Sequence, residues 1–147
     1  MSGMLSAILV ASQMVEVVEQ CAILFRALSQ VAEGEGGMTR RTLVIGASGG
    51  IGRALCTAFE TNGSEVTRLS RAADGFDLTD PASVEAAMYE VCGPFDTVLI
   101  ASGVLAPEGA RPEKSLAEID AENMARVMAV NAIGPALVLQ NLPRLLP

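Results

Sequence analysis

Seven residues in mid-chain, Gly46-Ala47-Ser48-Gly49-Gly50-Ile51-Gly52, limit the possible folds more than any other part of the sequence. They follow a short apolar, β-branched run at residues 42–45. They precede residues 51–61, where Ile51, Leu55, Ala58 and Phe59 recur at helical spacing before Asn62-Gly63 provides a stop. A strand therefore enters the turn and a helix leaves it. Glycine admits positive φ and lets the backbone approach a ligand where a Cβ would collide. The helix N-terminus adds unpaired N–H groups and the positive end of a dipole, which together suit a pyrophosphate. Competing motifs fail on the same letters. Gly46-Ala47-Ser48-Gly49-Gly50 fits a G-x-S-x-G nucleophile elbow in form, but the chain contains no histidine to act as base. A P-loop needs Gly-Lys-Ser/Thr, and the only lysine is the distant Lys114. The G-x-G-x-x-G spacing is broken by Leu55. What remains is Gly-x-x-x-Gly-x-Gly at a strand-to-helix junction, read as a dinucleotide-binding turn, with a plain tight turn as the bland alternative.

The pattern continues downstream. Residues 65–69 form a second strand, and residues 77–81 lead into a helix through about Val91, with Asp80 or Ser83 as its cap. Residues 95–101 are a buried strand, a loop runs through Pro112, and residues 120–146 are mainly helical, bent at Gly134-Pro135. This alternation implies parallel strands with right-handed crossovers, an α/β doubly wound sheet. Upstream, Leu5, Ile8, Ala11, Val15, Val18, Ala22, Phe25, Leu28 and Ala32 recur every three or four residues, so residues 4–32 read as an amphipathic helix ending at Gly34-Glu35-Gly36-Gly37. Residues 1–37 are thus expected to be a helical extension and glycine-rich linker, and residues 38–147 the nucleotide-binding domain. The extension reads as an appendage; an interaction helix is the alternative, and a membrane-surface anchor is disfavoured by the missing basic face. Its longest uncharged stretch, residues 1–15, is shorter than the ~18–20 residues of a bilayer span and lacks the basic start of a signal peptide.

Composition narrows the chemistry. Ten Lys+Arg against 17 Asp+Glu give a net charge of −7, which argues against a nucleic-acid binder. Without histidine, Ser-His-Asp and Cys-His systems and imidazole-bound zinc are excluded, so no metal site is expected. Cys21, Cys56 and Cys92 are three in number and widely spaced. They read as packed, reduced thiols in a cytoplasmic protein rather than a disulfide framework.

The glycine turn resembles the Thr-Gly-x-x-x-Gly-Ile-Gly turn of the short-chain dehydrogenase/reductase family, with Ile45 in the threonine position and Gly46, Gly50, Ile51 and Gly52 matching. The resemblance implies a Rossmann-like fold and places Ser48 on the cofactor as well. At the end of the second strand, where an NAD site usually carries an acid for the ribose 2′-hydroxyl, no acid lies between Val66 and Ala73. Arg71, with Ser70, suits a 2′-phosphate instead, so NADP is expected over NAD. Asp77-Leu78 resembles the family's pair beside the adenine ring, with a helix-entry acid as the alternative. Ala101-Ser102-Gly103 stands where the family has Asn-Ala-Gly along the cofactor; the glycine is kept and the asparagine amide is not.

Residues 112–116 and 130–137 resemble the C-factor-like branch of that family, related to a cell-to-cell signalling protein. Asn131 matches the helix asparagine of the family's Asn-Ser-Tyr-Lys tetrad, which holds a kinked backbone and a water of a proton relay. The tetrad's serine, tyrosine and lysine have no counterpart. Tyr89 is the only tyrosine, Gly93 stands four residues after it, and packing is its expected role. The resemblance covers residues 39–147 and implies a sheet truncated after about four strands, the fourth becoming an edge. The helix at 120–146 would then present apolar side chains and form a homo-oligomer contact, giving a marginal, association-prone protein unless residues 4–32 cover that surface. The expected function is an NADP-dependent oxidoreductase acting on a small carbonyl or alcohol, present as a truncated chain inactive by itself. The alternatives are a non-catalytic NADP-binding or signalling module, and an interaction protein working through residues 4–32.

Overall fold

The computed structural model describes residues 39–147; the amphipathic segment and glycine linker expected at residues 1–37 lie outside the described residues. Strand β1 (Arg41–Ile45) is followed by helix α1 (Gly50–Thr61), strand β2 (Glu65–Leu69), helix α2 (Pro81–Glu90) and strand β3 (Thr97–Ile100). Helix α3 (Ala121–Met128) then runs through a π turn (Ala129–Ile133) into helix α4 (Gly134–Asn141). All pairing is parallel, and the order is β2-β1-β3. The chain therefore crosses from β2 over β1 to β3, the arrangement that opens a crevice at the carboxyl ends of the strands.

The central strand explains both faces. Leu43 and Ile45 point to one side and join Leu69, Val84, Met88 and Val138, so α2 and α4 cover that face. Val44 points to the other side and packs with Cys56 of α1, partly buried Val66 and Leu99 completing the cluster. A strand buried on both faces reads as a near-continuous apolar run, which is why residues 43–45 carry no alternation. Arg41 ties the lower end together. Its guanidinium lies 5.1 Å from the centre of the Phe95 ring, donates to the Cys92 and Pro94 carbonyls at 2.9 and 3.2 Å, and faces Glu65 at 3.6 Å.

The parallel α/β architecture is as expected, but the described residues contain three strands rather than about four. Where another strand would pair with β2, local bonds take the backbone elsewhere. Ser70 caps a single helical turn, Arg71–Asp74, by accepting from the Ala73 N–H, and Gly75 closes it at φ 67°. The Asp77 N–H then donates to Ser83 Oγ at 2.9 Å. Ser83 is thus a tie to this loop, and Asp80 is the cap of α2, accepting from the Ala82 N–H at 3.0 Å. The bend expected at Gly134-Pro135 takes the form of the π turn just before it: the Gly134 N–H reaches the Ala129 carbonyl five residues back, and Pro135 has no N–H to give. Tyr89, expected to pack, is 79% exposed and meets the Arg144 guanidinium at 5.6 Å from its ring centre.

Candidate functional site

The carboxyl ends of β1, β2 and β3 border an open cleft of about 270 Å³. The structure brings nine of the expected site residues to its wall: Gly46 and Ser48 after β1, Ser70 and Arg71 after β2, Asp77 and Leu78 on the following loop, and Ala101, Ser102 and Gly103 after β3. Gly50, Ile51 and Gly52 stand in the first turn of α1 outside this lining, and so does Asn131.

Two glycines have geometric work in the turn. Gly46 adopts φ 84°, and a Cβ there would lie 2.8 Å from both the Ala101 carbonyl carbon and the Ser102 nitrogen. A Cβ on Gly52 would collide with the Gly46 carbonyl oxygen, so the start of α1 rests directly against the end of β1. Gly49 precedes the helix without a side-chain cap, and the first turn carries no acid. The helix's opening N–H groups are thereby left for a ligand, with no carboxylate competing. Around Gly50 a Cβ would meet nothing within 4 Å.

The β2 end sorts its polar groups. Arg68 is drawn away by Glu60 at 2.7 Å. The Ser70 hydroxyl is occupied within the helical turn, accepting from Ala73 and donating to Asp74 Oδ2 at 3.3 Å each, while the Ser70 N–H donates to the same carboxylate at 2.8 Å. Asp74, the nearest acid after β2 in sequence, thus serves the turn and lines a separate groove beside β2. Arg71 has no ion-pair partner among the described residues and borders the cleft.

Further along the same segment Asp77 accepts from the Thr79 N–H at 2.8 Å and the Thr79 hydroxyl at 2.7 Å. The two Thr79 bonds, the backbone one foremost, hold its carboxyl below the ordinary range, with a smaller pull from Arg71. Asn131 sits in the π turn and clasps the loop after β3: its Oδ1 accepts from the Val104 N–H and its Nδ2 donates to the Val104 carbonyl, both at 2.8 Å. At Ala101 the N–H donates to the Ile45 carbonyl at 2.8 Å, so the backbone ties β3 to β1 where no asparagine amide is available.

Sequence reasoning missed Ile45, Gly49, Phe76, Thr79, Val104 and Val130 in the wall. Asp77-Leu78-Thr79 is a legible local turn, since a carboxylate readily bonds its own backbone two residues on. Val104 and Val130 carry no comparable signal. Gly134 has a further part: a Cβ there would lie 2.7 Å from the Leu78 carbonyl oxygen, so it lets the helix approach the loop that forms this wall.

A glycine turn meeting a helix N-terminus at the strand-order switch makes this a Rossmann-like protein with a nucleotide-type crevice. The family model described as "NAD dependent epimerase/dehydratase family" matches residues 42–139, and the chain belongs to that family, which is NAD(P)-dependent. Solved structures agree on the fold. A small-chain dehydrogenase in complex with NADPH is 22% identical with a TM-score of 0.63, the match covering 75% of this chain and 47% of that one. A double variant of the Serratia marcescens short-chain dehydrogenase/reductase is 21% identical with a TM-score of 0.60, covering 73% and 52%. The Thermoplasma acidophilum aldohexose dehydrogenase in ligand-free form is 23% identical with a TM-score of 0.60, covering 72% and 44%. The chain spans about half the length of these structures. No curated protein matches it significantly. Among the described residues no helix is long and apolar enough to cross a membrane.

Proposed function

We propose that this chain holds the cofactor of an NADP-dependent oxidoreductase of the short-chain dehydrogenase/reductase type, with a small carbonyl or alcohol as substrate. The observation that carries the reading is the cleft itself, where Arg71 stands without an ion pair among the described residues while Asp74 is engaged by Ser70. Arg71 would take the 2′-phosphate, its guanidinium fork matching phosphate oxygens. The opening N–H groups of α1, beside Gly46 and Ser48, would take the diphosphate, and Asp77-Leu78 would border the adenine. Gly50, Ile51 and Gly52 form that helix start, and Ala101, Ser102 and Gly103 the wall along the cofactor. Asn131 is a positioning residue that holds Val104. A nicotinamide cofactor held by these residues would supply hydride-transfer chemistry. Residues 130–137 and the Ala-Ser-Gly turn support a place in the C-factor-like branch, and the cytoplasm suits such a protein.

One observation favours a second reading, a non-catalytic NADP-binding or signalling module. The sole tyrosine, Tyr89, lies outside the cleft wall, as does the sole lysine, Lys114. Sequencing the source DNA through and beyond codon 147 separates the two. A downstream Ser…Tyr-x-x-x-Lys frame supports the enzyme, and a confirmed stop without one supports the module.

Cofactor choice is tested by titrating NADPH and NADH separately into the chain and into Arg71→Ala. The expected result is tighter NADPH binding, weakened about tenfold by the substitution with NADH little changed, the scale of a hydrogen bond to a charged group. Equal affinities for the two cofactors would sink the NADP assignment.

A further inference from the structure

We propose that the Ser102 hydroxyl is a cofactor-specific hydrogen-bonding group, donating to a ribose or phosphate oxygen of the bound dinucleotide; this rests on the dinucleotide reading above. Ser102 follows β3, borders the cleft, and is held against the glycine turn, its nitrogen 2.8 Å from where a Cβ on Gly46 would stand. Its Oγ is buried and has no hydrogen-bond partner, the single such side-chain atom among the described residues. Buried polar groups are overwhelmingly paired, and an orphaned hydroxyl destabilises a fold that alanine would serve better. The backbone cannot move to relieve it, because the Ala101 N–H is fixed to the Ile45 carbonyl at 2.8 Å. Rotation about the Cα–Cβ bond can, since it carries the oxygen between three staggered positions without disturbing the chain. A hydroxyl is both donor and acceptor, so an oxygen-rich sugar–phosphate segment lying along this wall supplies the missing partner. Ala101 has no side chain able to make that contact, and the polar group sits one residue further on.

The test is calorimetric titration of NADPH into the full chain and its Ser102→Ala and Ser102→Thr variants, with the melting temperature of each free protein measured alongside. Ser102→Ala should weaken NADPH about three- to tenfold, the worth of one hydrogen bond, without lowering the melting temperature of the free protein. Ser102→Thr, which keeps the hydroxyl, should stay closer to the parent affinity than to that of Ser102→Ala. An affinity unchanged in Ser102→Ala while the parent binds NADPH would overturn this proposal and leave the dinucleotide reading standing. Absence of NADPH binding by the parent would overturn both. A melting temperature lowered by several degrees in free Ser102→Ala would also overturn it, because the hydroxyl would then have an internal partner. Repeating the titration with adenosine 2′,5′-bisphosphate locates the contact. A loss seen there puts it on the adenosine half, and a loss seen with NADPH alone puts it on the nicotinamide half; each upholds the contact.

Discussion

Asp77 shapes its part of the cleft wall by gripping Thr79 through both its N–H and its hydroxyl. Because those bonds favour the ionised form, the folded carboxyl titrates below its unfolded value. In the window between the two values the unfolded chain binds more protons, so stability rises with pH there. The contribution is complete above the unfolded value, about 4, and is lost as pH falls through the lower folded one. Thermal melts taken from about pH 6 down to about pH 3, across the range where carboxylates titrate, should show a steeper decline for the parent than for Asp77→Asn. The variant keeps an acceptor oxygen and removes the titration, so parallel curves would count against this account. The same residue shows what one sequence makes legible. A carboxylate at position 77 was readable as part of the cleft wall, and its habit of bonding the backbone two residues on was the signal that would have added Thr79.

The π turn between α3 and α4 is where an element departs from regularity with a function. Its extra residue turns Asn131 toward the loop after β3, and the two bonds to Val104 couple helix to loop. Asn131→Ala should therefore speed amide exchange at Val104 and lower stability by about 1 kcal/mol, since the groups are exposed and water replaces the lost bonds. Exchange measured by mass spectrometry on a peptide spanning residues 102–106 checks this, and unchanged protection would refute the coupling. Among the described residues the expected strands and helices were readable to within a residue or two, because apolar runs and helical spacing are set by burial. The helical turn at Arg71–Asp74 and the π turn were not, since each is decided by single side-chain–backbone bonds that leave no periodicity.

At the scale of the whole described region, β1 is buried from Thr42 to Ile45 while β3 is half-buried at the margin of the sheet. Parallel pairing uses only alternate backbone groups of an outer strand, so β3 has others directed away from β1. Met124 and Met128, one turn apart on α3, are 47% and 49% exposed, and Ile133 and Leu139 beyond them exceed half. We propose this helical stretch as the contact of a self-association. Sedimentation velocity should show mass rising with protein concentration, reduced in a Met124→Lys, Met128→Lys variant; a parent that stays monomeric throughout would dismiss it. The doubly wound class was legible from the alternation of strands and helices, and the glycine junction after the first strand marked the end of the sheet at which the cleft opens. The strand count was not, because a strand next to β2 depended on how residues 70–83 satisfied their own backbone.

The contact of Gly52 with the Gly46 carbonyl, and of Gly46 with the backbone at Ala101 and Ser102, has a consequence for inheritance. Every single-base change in a glycine codon is silent, introduces a stop, or adds a Cβ. At these two codons an added Cβ meets backbone rather than a side chain that can swing aside, so no neighbouring residue change can make room for it. Relief would require β1, α1 and the end of β3 to separate together. Descendants of this gene therefore have no one-step path away from either glycine that keeps the crevice, however freely the exposed positions around it drift.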